Sequence, residues 1–217
     1  RAFGARLTAE VEAMSPAAAD NLARMTGASE RMSRLIEGLL AYSRVGRSER
    51  PFEAVDLNGI VSAALHDLEL RVHETGAAVT VDPLPTIRGD SLLLGQLFQN
   101  LLNNAIKFQQ PGTRPEIAVR LVQASPLVIE VADNGIGFDD KHRDELFAPF
   151  TRLVGRHEYE GSGIGLAICR RIATAHGGTL SARGVPGEGA VFRIELSSPD
   201  ADPAEGRAPA GKPGGPA

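Results

Sequence analysis

The sequence predicts an α+β fold in which a helical hairpin precedes a layered domain of strands and helices. Apolar residues recur at three- and four-residue steps over residues 16–45, which is typical of an amphipathic helix. After residue 52, short β-branched runs alternate with helical patterns. A polar segment marked by glycine and proline, VGRSERP, separates the two regions. These patterns indicate a helical element (1–46), a linker (47–51) and an α/β sandwich (52–197).

The N-terminal region is predicted to form two antiparallel helices. Ser15 suits the N-cap of the longer helix, and Pro16 suits its first position. Two helices of this kind cannot bury both apolar stripes between themselves, so we expect a second copy of the chain to complete a four-helix bundle. The alternative is that the helices pack on the chain's own globular domain. The longer stripe comprises Leu22, Met25, Met32, Leu35, Leu39 and Tyr42, and the shorter one Phe3, Leu7 and Val11.

The layered domain is predicted to contain one mixed sheet with helices on one face. Asp56 is expected to cap a helix that continues to about residue 74, and Gly177 is expected to end the last helix. The predicted strands are 52–55, 77–81, 86–90, 116–123, 127–133, 179–184 and 190–196, and the remaining helices are 91–108 and 163–176.

Composition argues against several classes of protein. The net charge is −4 with acids and bases interspersed, so no basic stripe indicates a nucleic-acid partner. No apolar run approaches the roughly 20 residues that a membrane-spanning helix needs. The single cysteine, Cys169, is expected to be a packing residue, and this usage indicates a reduced, cytoplasmic location. The segment 198–217 is dominated by proline, glycine and alanine and is predicted to be disordered.

The segment NLLNNAIKF (100–108) places Asn100, Asn104 and Lys107 on one face of a helix, at positions i, i+4 and i+7. A neutral amide oxygen suits Mg²⁺, which takes the rest of its shell from water and phosphate oxygens. The lysine could offset phosphate charge. Taken alone, the pattern also fits an ordinary amphipathic helix whose amides are solvated.

The segment DNGIG (133–137) follows an apolar strand and puts Asp133 at the end of it. A carboxylate in this position could accept a hydrogen bond from the exocyclic amine of adenine, and it would reject the oxygen that guanine presents there. Asp-Asn-Gly is also a favoured hairpin turn, which is the purely structural alternative.

Two further segments suit a phosphate-bearing ligand. FAPF (147–150) precedes a glycine-flanked stretch and is typical of the hinge of a lid, from which Arg152 could reach a phosphate. GSGIG (161–165) opens a helix, where bare N–H groups and the helix dipole favour an anion. Its spacing differs from the dinucleotide-binding G-x-G-x-x-G, and the chain has no P-loop motif.

Together and in this order, the four segments resemble the N, G1, F and G2 boxes of sensor histidine kinases, within the Bergerat-fold ATPase superfamily. The resemblance implies ATP and Mg²⁺ as cofactors, with Asn104 as the metal ligand and Asp133 as the adenine-reading acid. It implies the catalytic residues Asn100, Lys107 and Arg152. It implies further nucleotide contacts at Gly135, Gly137, Phe150, Gly161, Gly163, Gly165 and Leu166. The implied partners are a second copy of the chain and a response-regulator receiver domain.

The implied activity is transfer of the γ-phosphoryl group of ATP to a histidine and then to a response-regulator aspartate. None of the five histidines fits the family's acceptor box. The opening RAFGARL resembles the stretch just after that box in phytochrome-like kinases, so we expect the acceptor to precede Arg1. One alternative is a Bergerat-fold ATPase, which would need a glutamate base where Asn100 stands. The other is a nucleotide-binding dimerisation module without kinase activity.

Overall fold

The computed structural model describes residues 15–45, 51–151, 153, 159 and 162–196, and over these it shows a long helix followed by a two-layer α/β domain. The helices are α1 (Pro16–Arg44), α2 (Leu57–Asp67), α3 (Glu69–Thr75), α4 (Ser91–Lys107) and α5 (Gly165–Ala175). The strands are β1 (Glu53–Asp56), β2 (Ala78–Val81), β3 (Thr86–Gly89), β4 (Glu116–Ala124), β5 (Leu127–Asp133), β6 (Thr179–Val185) and β7 (Gly189–Leu196). Two short 3-10 turns, Asp140–His142 and Glu145–Phe147, lie between β5 and α5. The predicted fold class is confirmed.

Five strands form one mixed sheet in the order β2-β4-β5-β7-β6, in which β2 and β4 are parallel and the other neighbours are antiparallel. Alternate side chains of β4 and β6 are buried, as expected when one face of a sheet packs against helices. Strands β1 and β3 pair with each other in a separate antiparallel sheet. The prediction of a single sheet was therefore wrong. β1 and β3 use their backbone groups to pair with each other, and each leads directly into a helix, β1 into α2 and β3 into α4.

Helix α1 begins as the sequence predicted, with the Ser15 hydroxyl accepting a hydrogen bond from the N–H of Ala18 (3.3 Å) and Pro16 in the first turn. Much of its apolar stripe is exposed within the described residues, with Met25 at 70% and Leu39 at 53%. The helix therefore carries an apolar face that the described part of the chain leaves uncovered.

The C-terminal end of α1 packs on the domain that follows it. Arg171 of α5 donates a hydrogen bond to the carbonyl oxygen of Val45 (2.7 Å), and its guanidinium lies 4.7 Å from the centre of the Tyr42 ring. Val45 is fully buried. The packing reaches back to Gly38, where a Cβ would stand 2.7 Å from Cδ1 of Ile164. The alternative that α1 packs on the chain's own domain is therefore correct for its last two turns, and exposed apolar residues remain earlier in the helix.

The helix predicted to run to residue 74 is interrupted at Leu68. It starts as expected, because Asp56 accepts a hydrogen bond from the N–H of Asn58 (3.0 Å). The backbone of Leu68 then leaves the helical region, with its side chain buried in the core, and the second segment ends at Gly76 in the left-handed conformation. The break falls at a buried core residue, and the apolar periodicity did not show it.

A buried polar joint links α4 and α5. Asp90 caps α4 by accepting the N–H of Leu92 (3.0 Å), and its own N–H donates to Nε2 of His176 (3.1 Å). Nδ1 of the same ring lies 2.8 Å from the carbonyl oxygen of Ile172, and Phe52 stacks on the ring with 4.8 Å between centroids. These partners assign the ring proton to Nδ1 and the acceptor role to Nε2.

Several predictions fall on residues that the structure does not describe. The upstream helix, most of the linker and the tail lie within 1–14, 46–50 and 197–217.

Cys169 is buried, and burial raises the pKa of its thiol to about 12, as suits a packing residue. No helix in the described part of the chain is long and apolar enough to cross a bilayer.

Candidate functional site

A cavity of about 320 Å³ lies between α4 and α5, beside the end of β5 and the start of β7. Side chains of α4 form one wall, and α5 with the glycine loop before it forms another. Eight of the residues predicted from the sequence line it, namely Asn100, Asn104, Lys107, Asp133, Gly137, Gly163, Gly165 and Leu166. The motifs, which are spread over more than sixty residues of sequence, therefore meet in one place.

Asp133 is the last residue of β5 and pairs in register with Ala190 of β7. Its Oδ1 accepts hydrogen bonds from the backbone N–H groups of Gly135 (2.9 Å) and Ala190 (3.3 Å). Burial raises the pKa of this carboxyl to about 6, an effect that outweighs the two hydrogen bonds, which lower it. No donor among the described residues bonds Oδ2. The second oxygen is thus suited to a ligand that brings its own N–H donor.

The turn after β5 is packed tightly against α4 and the β6–β7 hairpin. The N–H of Ile136 donates to the carbonyl oxygen of Phe108 (2.9 Å). Gly137 has φ of +60°, and a Cβ there would collide with the carbonyl oxygen of Val185. A Cβ on Gly135 would collide with the Phe108 carbonyl. Both glycines are needed for this approach, and Gly135 contributes its N–H to the carboxylate without lining the cavity itself.

Helix α4 presents a polar face to the cavity and an apolar face to the core. Leu101 and Leu102 are fully buried. Gly165 permits the close approach of α5, because a Cβ there would stand 3.2 Å from Oδ1 of Asn100. The ammonium of Lys107 lies 4.1 Å from the centre of the Phe108 ring, which is a favourable cation–π distance. The polar face consists of Asn100, Asn103, Asn104 and Lys107.

Helix α5 starts at Gly165, and no side chain among the described residues caps its first turn. Uncapped N–H groups at a helix N-terminus attract an anion. The preceding Gly163 has φ of +72°, and its carbonyl oxygen accepts the N–H of Phe150 (2.9 Å). Phe150 also has positive φ (+66°), which is rare for a residue with a Cβ, and its side chain is 52% exposed and does not line the cavity. In this structure Phe150 holds the glycine loop through its backbone.

Arg152 and Gly161 lie outside the described residues, as does Arg156, so their predicted contacts with a nucleotide stay predictions. The structure adds Arg71 and Asn103 to the lining of the cavity. Asn103 stands inside the recognised segment, and its helical spacing from Asn100 could have indicated it. Arg71 belongs to a helix without a motif, and its approach to α4 depends on tertiary packing.

The oxygen and nitrogen donors of the cavity fit a magnesium nucleotide better than a metal held by protein alone. Within the described ranges, no group of three or more His, Cys, Asp or Glu side chains could hold a metal ion. The amide oxygens of Asn100 and Asn104 lie on the helix face that lines the cavity. One or two neutral oxygens of this kind suffice for Mg²⁺ when phosphates and water supply the remaining ligands.

Comparison with known proteins identifies the family. The sequence profile of the histidine kinase-, DNA gyrase B- and HSP90-like ATPases matches residues 89–200, just over half of the chain. The chain belongs to this ATPase family. The matched range contains all four segments that line or flank the cavity.

Proteins similar to this chain include a phytochrome and histidine kinases. Cyanobacterial phytochrome A of Nostoc sp. is 42% identical over 166 residues, which are 76% of this chain and 22% of the phytochrome. The solved mycobacterial sensor histidine kinase MprB is 31% identical with a TM-score of 0.57, over 67% of this chain and 96% of that one. Full-length ShkA, solved in complex with AMPPNP, is 25% identical with a TM-score of 0.65, over 86% of this chain and 40% of that one. The resemblance to sensor histidine kinases is therefore confirmed, and the chain spans about a fifth of the length of the phytochrome.

Proposed function

We propose that the chain is the ATP-binding kinase core of a two-component sensor. The proposed reaction transfers the γ-phosphoryl group of ATP to a histidine and then to an aspartate of a response regulator. The observation that carries the proposal is one cavity that combines a buried carboxylate, an amide-rich helix face and an uncapped helix N-terminus. A nucleoside triphosphate needs an acceptor for its base amine together with donors and a metal ligand for its phosphates.

Each end of the proposed nucleotide has its own residues. Asp133 accepts the adenine amine through Oδ2, and Lys107 with the N–H groups of the turn that starts at Gly165 donates to the phosphates. Asn104 would hold Mg²⁺, which when bound neutralises charge on the phosphoryl group that is transferred. Arg152 is proposed to reach the γ-phosphate from the lid.

Transfer to a protein acceptor is favoured over hydrolysis by the residue types at the phosphate end. Asn100 faces the start of α5, and an amide cannot take a proton from water near neutral pH. Among the described residues that line the cavity, Asp133 is the only carboxylate, and it is proposed to be occupied by the base. The described part of the site therefore positions a phosphoryl group and supplies no general base for water.

The proposed partners follow from the exposed stripe of α1 and from the kinase relatives. Residues 1–46 are proposed to pair with a second copy in a four-helix bundle, since Ile36 and Leu39 are more than half exposed. Residues 52–197 are proposed to be the catalytic domain, with 47–51 as the linker. A receiver domain is the proposed phosphoryl acceptor, and the cytoplasm is the proposed location.

Nucleoside affinity is expected to fall on acidification, because Asp133 must be ionised to accept the adenine amine. The pKa of Asp133 is about 6 in the free protein, so its carboxyl takes up a proton as pH falls through that value. At about pH 5 the affinity for adenosine should be about tenfold weaker than at about pH 7.5. Titration calorimetry measures this, and adenosine is chosen because it has no phosphate that titrates in the range.

The control is Asp133→Asn, which should bind adenosine weakly and without this pH dependence. The free energy of unfolding should also depend on pH through the carboxyl of Asp133. Its pKa is raised by folding, so the folded state holds the proton more tightly than the unfolded state does. The free energy of unfolding should therefore fall as pH rises between about 4 and 6. A flat affinity profile in the unmodified chain would contradict recognition by an ionised carboxylate.

The Asn104→Ala variant is expected to weaken nucleotide binding about tenfold when Mg²⁺ is present, because one oxygen ligand of the ion is lost. Binding without Mg²⁺ should be nearly unchanged. Gln99→Ala, on an exposed side of the same helix, is the matched control and should alter neither value. Equal losses with and without the metal would mean that the substitution had damaged packing instead.

The experiment that tests the proposed function is phosphoryl transfer from radiolabelled ATP by the chain extended before Arg1 with a segment that carries the proposed acceptor histidine. Acid-labile label on a histidine, followed by its movement to a response-regulator aspartate, is the expected result. A protein that binds ATP tightly and gains no label would support the nucleotide-binding module without kinase activity. Release of phosphate to water without a labelled intermediate would support the ATPase.

A further inference from the structure

Arg71 reaches the cavity from α3, a helix that carries none of the recognised motifs. Its Nη1 donates a hydrogen bond to Oδ1 of Asn103 on α4 (2.7 Å), and both residues line the cavity. The residue is exposed, so its guanidinium keeps access to solvent and to a ligand. One of the five N–H donors of the guanidinium is thus used to hold the side chain against α4.

A second side-chain link to α4 stands four residues earlier in the sequence on each side, and it comes from the end of α2. Nε2 of Gln99 donates to Oδ2 of Asp67 (3.2 Å), which also joins the end of α2 to α4. This pair lies outside the cavity, whereas Arg71 and Asn103 lie within its lining. At that point an amide paired with a carboxylate joins α4 to its neighbouring helix. At the cavity, the chain has a cation where the other link has an acid.

No ion pair among the described residues explains why an arginine stands at position 71. The ion pairs found at up to 4.0 Å among the described residues do not include Arg71. Its anchor, Asn103, is one helical turn from Lys107, so a second cation stands on the same side of α4. The described lining contains a single carboxylate, Asp133, at the end of β5. Among the described residues, this side of the cavity therefore has an excess of positive charge, which suits an anionic ligand.

We propose that Arg71 is a phosphate-binding residue of the nucleotide site, oriented by Asn103 and acting beside Lys107. The proposal rests on the proposed ATP function and deepens it, because it assigns a phosphate contact outside the four motifs. A planar guanidinium with one donor fixed by an amide presents its remaining donors to phosphate oxygens at little entropic cost. The neutral partner matters, since a carboxylate at position 103 would compete with the ligand for the same charge.

The test compares Arg71→Gln with the unmodified chain for ATP, ADP, AMP and adenosine, by titration calorimetry at a fixed Mg²⁺ concentration. Affinity for at least ATP should fall about tenfold, and affinity for adenosine should stay within about twofold, because only the phosphates meet the guanidinium. The first member of the series that responds locates the phosphate involved. Arg71→Lys should recover part of the loss, and raised salt should reduce the difference between the unmodified chain and Arg71→Gln.

Two variants control for a merely structural role. Gln99→Ala removes the parallel cross-link without changing charge in the cavity, and Arg120→Gln removes an exposed arginine outside it. Neither variant should change the affinity for ATP relative to the affinity for adenosine. Equal losses for ATP and adenosine in Arg71→Gln, or no loss at all, would overturn the proposal while ATP binding by the unmodified chain kept the proposed function intact. Failure of the unmodified chain to bind any adenine nucleotide would overturn both.

Discussion

Asp133→Asn should weaken ATP binding by about 2 kcal/mol or more, which is roughly a thirtyfold rise in Kd. Asparagine keeps an Oδ1 that can accept the N–H groups of Gly135 and Ala190, so the turn and the strand pair should persist. The change affects the second oxygen of the carboxylate, because an NH₂ group replaces the acceptor Oδ2. That group would face the adenine amine donor to donor, and both would be buried without an acceptor.

Calorimetric titration with Mg-ATP measures the loss. Asp140→Asn makes the same chemical change on an exposed carboxylate whose partner is Arg143 at 3.5 Å, and it should leave affinity unchanged. Discrimination against GTP should also shrink in Asp133→Asn, because an amide donor tolerates the guanine oxygen. A folded variant with undiminished ATP affinity would remove Asp133 from base recognition.

Gly137→Ala should destabilise the domain by about 3 kcal/mol. The added Cβ would collide with the carbonyl oxygen of Val185 and stand 2.7 Å from that of Gly189. Both are backbone atoms of the β6–β7 hairpin and cannot rotate away as a side chain could. The backbone at Gly137 also has φ of +60°, which L-residues with a Cβ rarely adopt. Urea unfolding at constant m-value measures the change.

Gly76→Ala separates the two causes. Gly76 has nearly the same φ, +65°, but nothing lies within 4 Å of a Cβ built there. Gly76→Ala should therefore lose only the stability that a Cβ costs at positive φ, about 1 kcal/mol. The difference between the two variants measures the close approach of the hairpin. Equal losses would show that this approach contributes nothing to stability.

The parts of the site that the sequence could predict are those set by local geometry. The side chains of Asn100, Asn104 and Lys107 share a face because helical spacing alone puts them there. Asp133 could be placed at a strand end because the apolar run before it and the glycines after it mark that boundary. The strand 127–133 was predicted with its observed bounds for the same reason.

The features that the sequence could not predict depend on residues far apart in the chain. The pairing of β1 with β3 joins segments about thirty residues apart, and neither segment carries a signal for its partner. The break at Leu68 falls at a core position whose burial depends on other elements. The raised pKa of Asp133 requires burial by surrounding elements, which a motif does not encode. Arg71 likewise enters the cavity only because α3 packs beside α4.

The joint between Asp90 and His176 has a consequence for how the cavity opens. Pulling α5 away from α4 would leave the N–H of Asp90 and Nε2 of His176 without partners, and both residues are buried. The first turn of α4 and the last turn of α5 should therefore unfold together, and their amide hydrogens should exchange with solvent as one cooperative unit. The spacing of the two helical walls is fixed at this end. Adjustment to ligands of different size is left to the turn after β5 and the loop before α5.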